Sequence, residues 1–299
     1  MALSVENVKK AYARVEALKG VTFDVRPGEV FGLLGPNGAG KTSLISIIVT
    51  LERMSSGKIR VFGHDVEQEP REVKRHTGWM PQEVINHGFF NVEEILTFHA
   101  GYYGVRNPQE RIKYLLNGLG LFEHRNKKVK QLSGGMKRRL MIAKALVHDP
   151  GLLLLDEPTA GVDVELRSRM WDFVSELRKQ GLSILLTTHY LEEAEQLCDR
   201  VAIINQGLIQ TIGPTRELIE KWSRKRITLR LVNPVHKLPH PDLIEGHGNR
   251  WVYLTPMDMT LGKLCMELDL EASQISDVNV QEGRLEDVFL KLTASEKEQ

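Results

Sequence analysis

A run of apolar residues leading straight into a glycine-rich turn and then a helical pattern constrains this chain more than anything else in it. Val30-Phe31-Gly32-Leu33-Leu34 reads as a buried strand, Gly35-Pro36-Asn37-Gly38-Ala39-Gly40-Lys41-Thr42 comes next, and Thr42 to Val49 reads as a helix. The turn fits GxxxxGK[ST], which a random chain of this length matches by accident about once in a hundred. Glycines let backbone amides turn inward around an anion. The helix that begins there aims its N-terminus at the same anion. Lys41 then reaches the outer phosphates of a nucleotide, and the Thr42 hydroxyl is placed for magnesium. The strand–turn–helix order is what separates such a cradle from an ordinary glycine-rich turn.

A second apolar run, Leu152 to Leu155, ends in Asp156-Glu157. Ile184 to Thr187 and Val201 to Ile204 are further strand-like runs, with helical patterns between them, such as Val164 to Lys179. Apolar strands separated by helices argue for a parallel sheet covered on both faces. A buried parallel strand delivers its C-terminal residues to the ligand edge of such a sheet. Asp156 is then placed to hold magnesium through water, and Glu157 to polarise an attacking water as general base. Taken alone, the same two acids equally fit a strand that ends in solvent. His189 follows the third strand, where a neutral imidazole reaches a γ-phosphate or orients the water, although a lone histidine there is more often a surface or capping residue. Gln82, after Trp79-Met80-Pro81, offers an amide oxygen to magnesium and by itself says nothing.

Between these motifs, Asn91 with Glu94 makes an N-terminal cap and its reciprocal partner. Helical patterns run on through Tyr103 and again from Gln109 to Leu119, so this stretch reads as a helical insertion. After about Lys221 the pattern changes. Ile227 to Leu231 and Trp251 to Leu254 are strand-like, and two helical faces come after them, Leu261-Leu264-Cys265-Leu268 and Leu285-Val288-Phe289-Leu292. A loop holding Pro234, Pro239 and Pro241 lies between the strands.

The net charge of +1 removes any global pull towards nucleic acid or an anionic membrane. Two cysteines without paired spacing point to a reducing compartment. The N-terminus lacks a signal-peptide pattern, and no apolar run approaches the ~18 residues needed to span a bilayer.

Leu132-Ser133-Gly134-Gly135-Met136 is physically a second anion site: Ser133 caps a helix beginning near Met136, and the amides of Gly134 and Gly135 face outward. Alone it would be an ordinary Ser-Gly-Gly helix start. Lying between the phosphate loop and the acidic strand, it resembles the signature motif of ATP-binding cassette (ABC) ATPases. That resemblance covers roughly residues 3 to 220. It implies a head-to-tail pair of chains, each ATP lying between the phosphate loop of one and the signature of the other. It also implies that Tyr12 stacks on adenine, that Gly35 to Ser43 hold the phosphates, and that Gln82 senses magnesium and faces a transmembrane partner. Asp163, in Ala160-Gly161-Val162-Asp163, matches the loop crossing the dimer interface, and His189 matches the switch histidine. Met136 stands where the wider family commonly has Gln, and Gly161-Val162 where it has Ala-Leu; neither touches a phosphate ligand. The segments Leu132 to Leu146, Leu155 to Leu166 and Thr187 to Cys198, with the ending Gly283 to Leu290, resemble the ATPase subunits of ABC-2 type exporters.

The fold expected is therefore α/β. It comprises a P-loop ABC ATPase core (1–220) with a helical subdomain at about 83–145 and an N-terminal antiparallel β-subdomain, plus a small α+β appendix (221–299). The function expected is an ATP- and magnesium-dependent motor for export, a homodimer on the cytoplasmic face of the cell membrane that drives a separate permease chain and binds no nucleic acid. The alternative is an ABC ATPase acting on ribosomes or DNA. Those usually carry two ATPase heads, a long coiled coil or a zinc insert, and this chain has none of them. The ATPases of importers share every one of these motifs, and only the exporter-like ending and the local resemblance speak against import. His236, His240 and His247 share a Pro-rich loop without a second ligand set. Lys127-Lys128-Val129-Lys130 and Lys137-Arg138-Arg139 read as solvated faces or partner contacts. Trp222 with Arg224-Lys225-Arg226 reads as an interdomain linker or, less simply, a membrane contact.

Overall fold

A computed structural model describes residues 1–13, 15–83, 88–159, 164–188 and 190–294, which fall into two compact units, 1–212 and 213–299. The first unit opens with strands β1 (Leu3–Tyr12), β2 (Val15–Val25) and β3 (Val30–Leu34), then helix α1 (Lys41–Ile48). Strands β4 (Ser56–Val61) and β5 (His64–Asp65), helix α2 (Pro70–His76) and strand β6 (Thr77–Met80) come after it. A helical stretch is next: α3 (Val92–Tyr102), α4 (Gln109–Gly118) and α5 (Gly134–Leu146). The unit closes with β7 (Leu152–Asp156), α6 (Val164–Lys179), β8 (Ser183–Thr188), α7 (Leu191–Leu197), β9 (Arg200–Asn205) and β10 (Leu208–Pro214), the last crossing the division.

Two sheets build this unit. One is antiparallel, in the order β2-β1-β4-β5. The other has the order β10-β9-β3-β8-β7-β6, and its pairings from β9 across to β6 are parallel. Strands β3, β7 and β8 are buried at every position, which is why they read as unbroken apolar runs. The core runs continuously from the antiparallel sheet (Leu3, Leu18, Ile59) through α1 (Leu44, Ile45, Ile48) to the parallel sheet (Leu33, Leu154, Leu185). Register then fixes the functional edge. Leu34 lies beside Thr188, Asp156 beside Thr187, and Met80 beside Leu155, so the segments leaving β3, β6, β7 and β8 emerge side by side.

The capping box read at Asn91 is present: Asn91 Oδ1 accepts from the Glu94 N–H, and Glu94 Oε2 accepts from the Asn91 N–H, both at 2.8 Å. Strand β6, by contrast, gives no sequence signal; its four residues become a strand only by pairing with β7. No helix among the described residues is long and apolar enough to cross a membrane.

The second unit comprises α8 (Thr215–Trp222), β11 (Lys225–Leu231), β12 (Leu243–His247), β13 (Arg250–Thr255), α9 (Leu261–Glu267), β14 (Ile275–Gln281) and α10 (Leu285–Ala294). Its antiparallel sheet has the order β12-β13-β11-β14. Ile227, Leu229, Trp251 and Tyr253 form its core with Leu264 and Leu268 from the α9 region. Helix α8 belongs to this unit, against α10, so the chain divides at 212/213 where the sequence suggests 220/221. Trp222 and Arg224 to Arg226 are accordingly the junction of α8 and β11 inside one unit, and not a linker between two.

Candidate nucleotide site

The phosphate loop is held by packing on its inner side and open on its outer side. Gly35 is buried, and a Cβ there would collide with the carbonyl oxygen of Ile204. Gly38 and Gly40 have φ of +81° and +108°, conformations costly for residues with a Cβ. Helix α1 begins at Lys41, one residue earlier than the sequence suggests, and Gly40 at its N-cap offers no side chain to cap the amides of its first turn. Lys41 is 7% exposed. Its Nζ donates to the carbonyls of Gly35 at 2.6 Å and Pro36 at 3.0 Å. Burial draws its ammonium below the ordinary lysine value, while Glu157 and Asp156 pull it back up. Thr42 is exposed and Ser43 half-buried.

Across the sheet edge, Asp156 is 3% exposed and accepts a 2.5 Å hydrogen bond from the Thr187 hydroxyl of the neighbouring strand. Burial pushes its carboxyl above the usual range; the Thr187 bond and Lys41 oppose that. Glu157 has a φ of +49°, a left-handed conformation unfavourable for a residue with a side chain. Its N–H donates to the Thr187 carbonyl at 3.0 Å. Gln82 Nε2 donates to its Oε2 at 2.9 Å, and Arg138 Nη1 to its carbonyl at 2.9 Å. The edge thus brings Lys41, Asp156, Glu157 and Gln82 together.

Ser133 caps α5, its hydroxyl accepting from the Met136 N–H at 3.3 Å, and the helix begins at Gly134, two residues before the position expected. Ser133 and Gly134 are exposed, and neither Gly134 nor Gly135 has anything within 4 Å of where a Cβ would sit. Tyr12 is 40% exposed, with the Lys10 ammonium 4.6 Å over its ring. His189 and the Ala160-Gly161-Val162-Asp163 loop lie outside the described residues.

Several contributors give little or no signal in the sequence. Arg138 and Arg139 are not a solvated face: Arg138 holds Glu157, and Arg139 is buried, donating to the carbonyls of Leu119 at 2.7 Å and Gly120 at 3.2 Å. Their basic run carries no hint of this, since both acceptors are carbonyls distant in sequence. Glu193 is a buried carboxylate that accepts from Thr159 Oγ1 at 2.8 Å and lies 3.3 Å from Arg167 Nε. Thr188, which also donates to Glu193, accepts from the Tyr190 N–H, so this network brackets position 189 from both sides. The alternation of acids with apolar residues in α7 is the only sign of it.

The donors around the edge are a hydroxyl, a carboxylate and an amide oxygen, a set suited to a hard divalent cation. Magnesium is held by one or two carboxylates plus the phosphates of its nucleotide. A glycine loop between a parallel strand and a helix, with an acid pair at the end of a further strand of the same sheet, defines a P-loop ATPase.

The family profile described as ABC transporter matches residues 18–160. The chain is 41% identical to the daunorubicin/doxorubicin resistance ATP-binding protein DrrA of Streptomyces peucetius, over 98% of this chain and 92% of that protein. It is 35% identical to the Nod factor export ATP-binding protein I of Rhizobium etli, over 99% and 95%. A solved structure of an ATP-binding subunit of an ABC transporter superposes with a TM-score of 0.70 at 29% identity, covering 74% of this chain and 93% of that one. The chain belongs to the ABC transporter family as an ATP-binding subunit, and it is an ATPase whose substrate is magnesium-bound ATP.

Proposed function

We propose that the chain is the motor of an ABC-2 type exporter, two copies of which pair head to tail on a separate membrane-spanning permease at the cytoplasmic face. The observation that carries this reading is the Gln82–Glu157 hydrogen bond. It joins the base for hydrolysis to a residue close in sequence to a set of exposed aromatics. Phe89 is 85% and Tyr102 84% exposed, and Phe98 is half exposed beside Phe90. Apolar side chains grouped in this way fit a protein partner. The names of the relatives speak of export and drug resistance, and the alignments run through the second unit as well as the ATPase core. That favours export over import, whose ATPases share the core motifs.

In this reading Gly35 to Ser43, with Pro36, Asn37 and Ala39 shaping the turn, cradle the phosphates, and Lys41 moves from its loop carbonyls to the outer phosphates. Thr42, Asp156 and Gln82 would hold magnesium, which would neutralise charge on the phosphates in the transition state. Glu157 releases Gln82 and accepts the proton of the attacking water at its carboxylate. His189 contacts the γ-phosphate, and Tyr12 stacks on adenine. Ser133, Gly134 and Gly135 offer their amides to the ATP of the other copy, and Asp163 lies at the interface. The open space before Gly134 and Gly135 supports that outward role.

The test is to purify tagged Glu157→Gln from gently solubilised membranes with ATP present and identify its companions by mass spectrometry. A stoichiometric polytopic membrane protein is expected. Recovery only from the soluble fraction, with ribosomal proteins or DNA, overturns the transporter reading and leaves the ATPase intact.

A further inference from the structure

Two segments notable in the sequence take no part in the nucleotide site: Trp222 with Arg224 to Arg226, and the ending Gly283 to Leu290. The fold brings them together inside the second unit. The turn from α8 into β11 lies against the turn from β14 into α10, so closely that a Cβ on Gly283 would collide with the Ser223 hydroxyl. Ser223 is buried, and its hydroxyl is fixed by donation to the Ile219 carbonyl at 2.6 Å. Leu285 and Val288, both fully buried, root α10. These walls line an open cavity of about 500 Å³, within the ~300–1,000 Å³ range of small-ligand sites.

Cations line it from separate parts of the chain: Arg224 and Arg226 at the entry to β11, Arg284 at the foot of α10, and Lys291 two turns further along. Two carboxylates also line it, Glu282 and Asp287. Asp287 is engaged in accepting from the Arg284 N–H at 2.9 Å, and Arg224 is steadied by Asp242 at 3.3 Å. The lining charge is therefore positive in balance. Arg226 is exposed, and its cross-strand neighbours Leu254 and Gln281 line the same cavity. Trp222 also lines the cavity.

We propose that this cavity binds a phosphate-bearing ligand. Guanidinium forks match phosphate oxygens two at a time. Leu254 and the indole give the remainder of the ligand an apolar wall. A soluble phosphorylated compound and the headgroup of an anionic lipid present the same chemistry, and the experiment separates them.

The full-length chain carrying Lys41→Ala, which suppresses phosphate binding at the nucleotide loop, is monitored by amide hydrogen exchange. The probes are inorganic pyrophosphate, phosphatidylglycerol vesicles and phosphatidylcholine vesicles. Slowed exchange confined to 222–226 and 281–291 is expected with pyrophosphate, with phosphatidylglycerol or with both, and not with phosphatidylcholine. Protection by pyrophosphate points to a soluble ligand, and protection by phosphatidylglycerol alone to a headgroup. Arg226→Glu weakens the binding roughly tenfold or more. Arg224→Glu, at the start of the same wall, weakens it several-fold. Protection by neither anionic probe, or protection indifferent to both substitutions, overturns the proposal. With Lys41 intact, Arg226→Glu retains basal ATPase activity, so failure here is separate from failure of the motor reading.

Discussion

The chain carries two glycine-rich helix starts, and they are built in opposite ways. At the phosphate loop the glycines are pressed into the fold: Gly35 meets the Ile204 carbonyl, Gly40 takes a φ of +108°, and Lys41 is buried against the loop. At Ser133-Gly134-Gly135 the helix is capped from within, and its glycines face open space. The first is a finished half-site. The second, in the proposed pairing of two copies, is half of a site whose other half comes from the other copy. Identical residue types serve both because glycine removes a side chain from whichever direction matters, towards the core in one case and towards a future ligand in the other.

The largest test leaves both loops intact and removes the chemistry. Glu157→Gln is expected to bind ATP, accumulate as an ATP-dependent dimer, and lose roughly 10²–10⁴-fold in turnover. Near-normal turnover removes Glu157 from its role. Adding Lys41→Ala should weaken ATP binding about ten- to a hundredfold, the scale of a lost charge-assisted hydrogen bond, even in the isolated chain. Equilibrium titration with a fluorescent ATP analogue measures this, and unchanged affinity counts against the cradle.

The glycines then separate the two designs. Gly35→Ala inserts a methyl group against backbone and should cost about 1–3 kcal/mol, seen as a drop of several degrees in melting temperature. Gly134→Ala meets nothing and should leave the melting temperature within about a degree, yet abolish the dimer trapped by Glu157→Gln and cut turnover about tenfold. A melting temperature that falls as far for Gly134→Ala as for Gly35→Ala breaks the comparison. The smallest effect concerns Asp156, whose burial disfavours its charge. With a folded-state pKa raised above the unfolded value, its ionisation works against the fold once the pH exceeds both. Asp156→Asn should therefore raise the melting temperature of the nucleotide-free chain at neutral pH by a few degrees, the scale on which functional residues trade stability. Hydrolysis should be lost with it, and a lowered melting temperature would count against burial as the dominant cost.

How much the sequence discloses depends on the range of the forces involved. Buried parallel strands such as Leu152–Asp156 declare themselves, because each residue is apolar for its own local reason. The Asn91–Glu94 box is legible because its two hydrogen bonds span three residues. Strand β6 is not, since Thr77-Gly78-Trp79-Met80 is a strand only beside β7. Strands β12 and β14 stand at the edges of their sheet and are largely exposed, so no apolar alternation marks them. At the site, the phosphate loop and acid pair are readable from order alone. The inward turn of Arg138 and Arg139 is not, because a basic side chain seeking a carbonyl across the fold looks the same in sequence as one seeking water. His189 and Asp163 lie outside the described residues and rest on the resemblance.

Helix α5 runs 13 residues from Gly134 to Leu146, about 20 Å at the usual rise. Along that length it is bolted at several stations. Arg138 grips the Glu157 backbone and Arg139 the end of α4; the Leu146 carbonyl accepts from Arg111 at 3.2 Å. Just beyond its end, His148 stacks on Tyr103 at 3.7 Å and reaches the Thr77 carbonyl at 3.1 Å. Such a helix behaves as a lever. A tilt of about 5° at the Tyr103 end carries the Ser133 end through roughly 2 Å, more than the ~1 Å misplacement that costs an active site a hundredfold in rate. In the proposed motor, rotations of that size would be enough to separate a firing arrangement from an idle one.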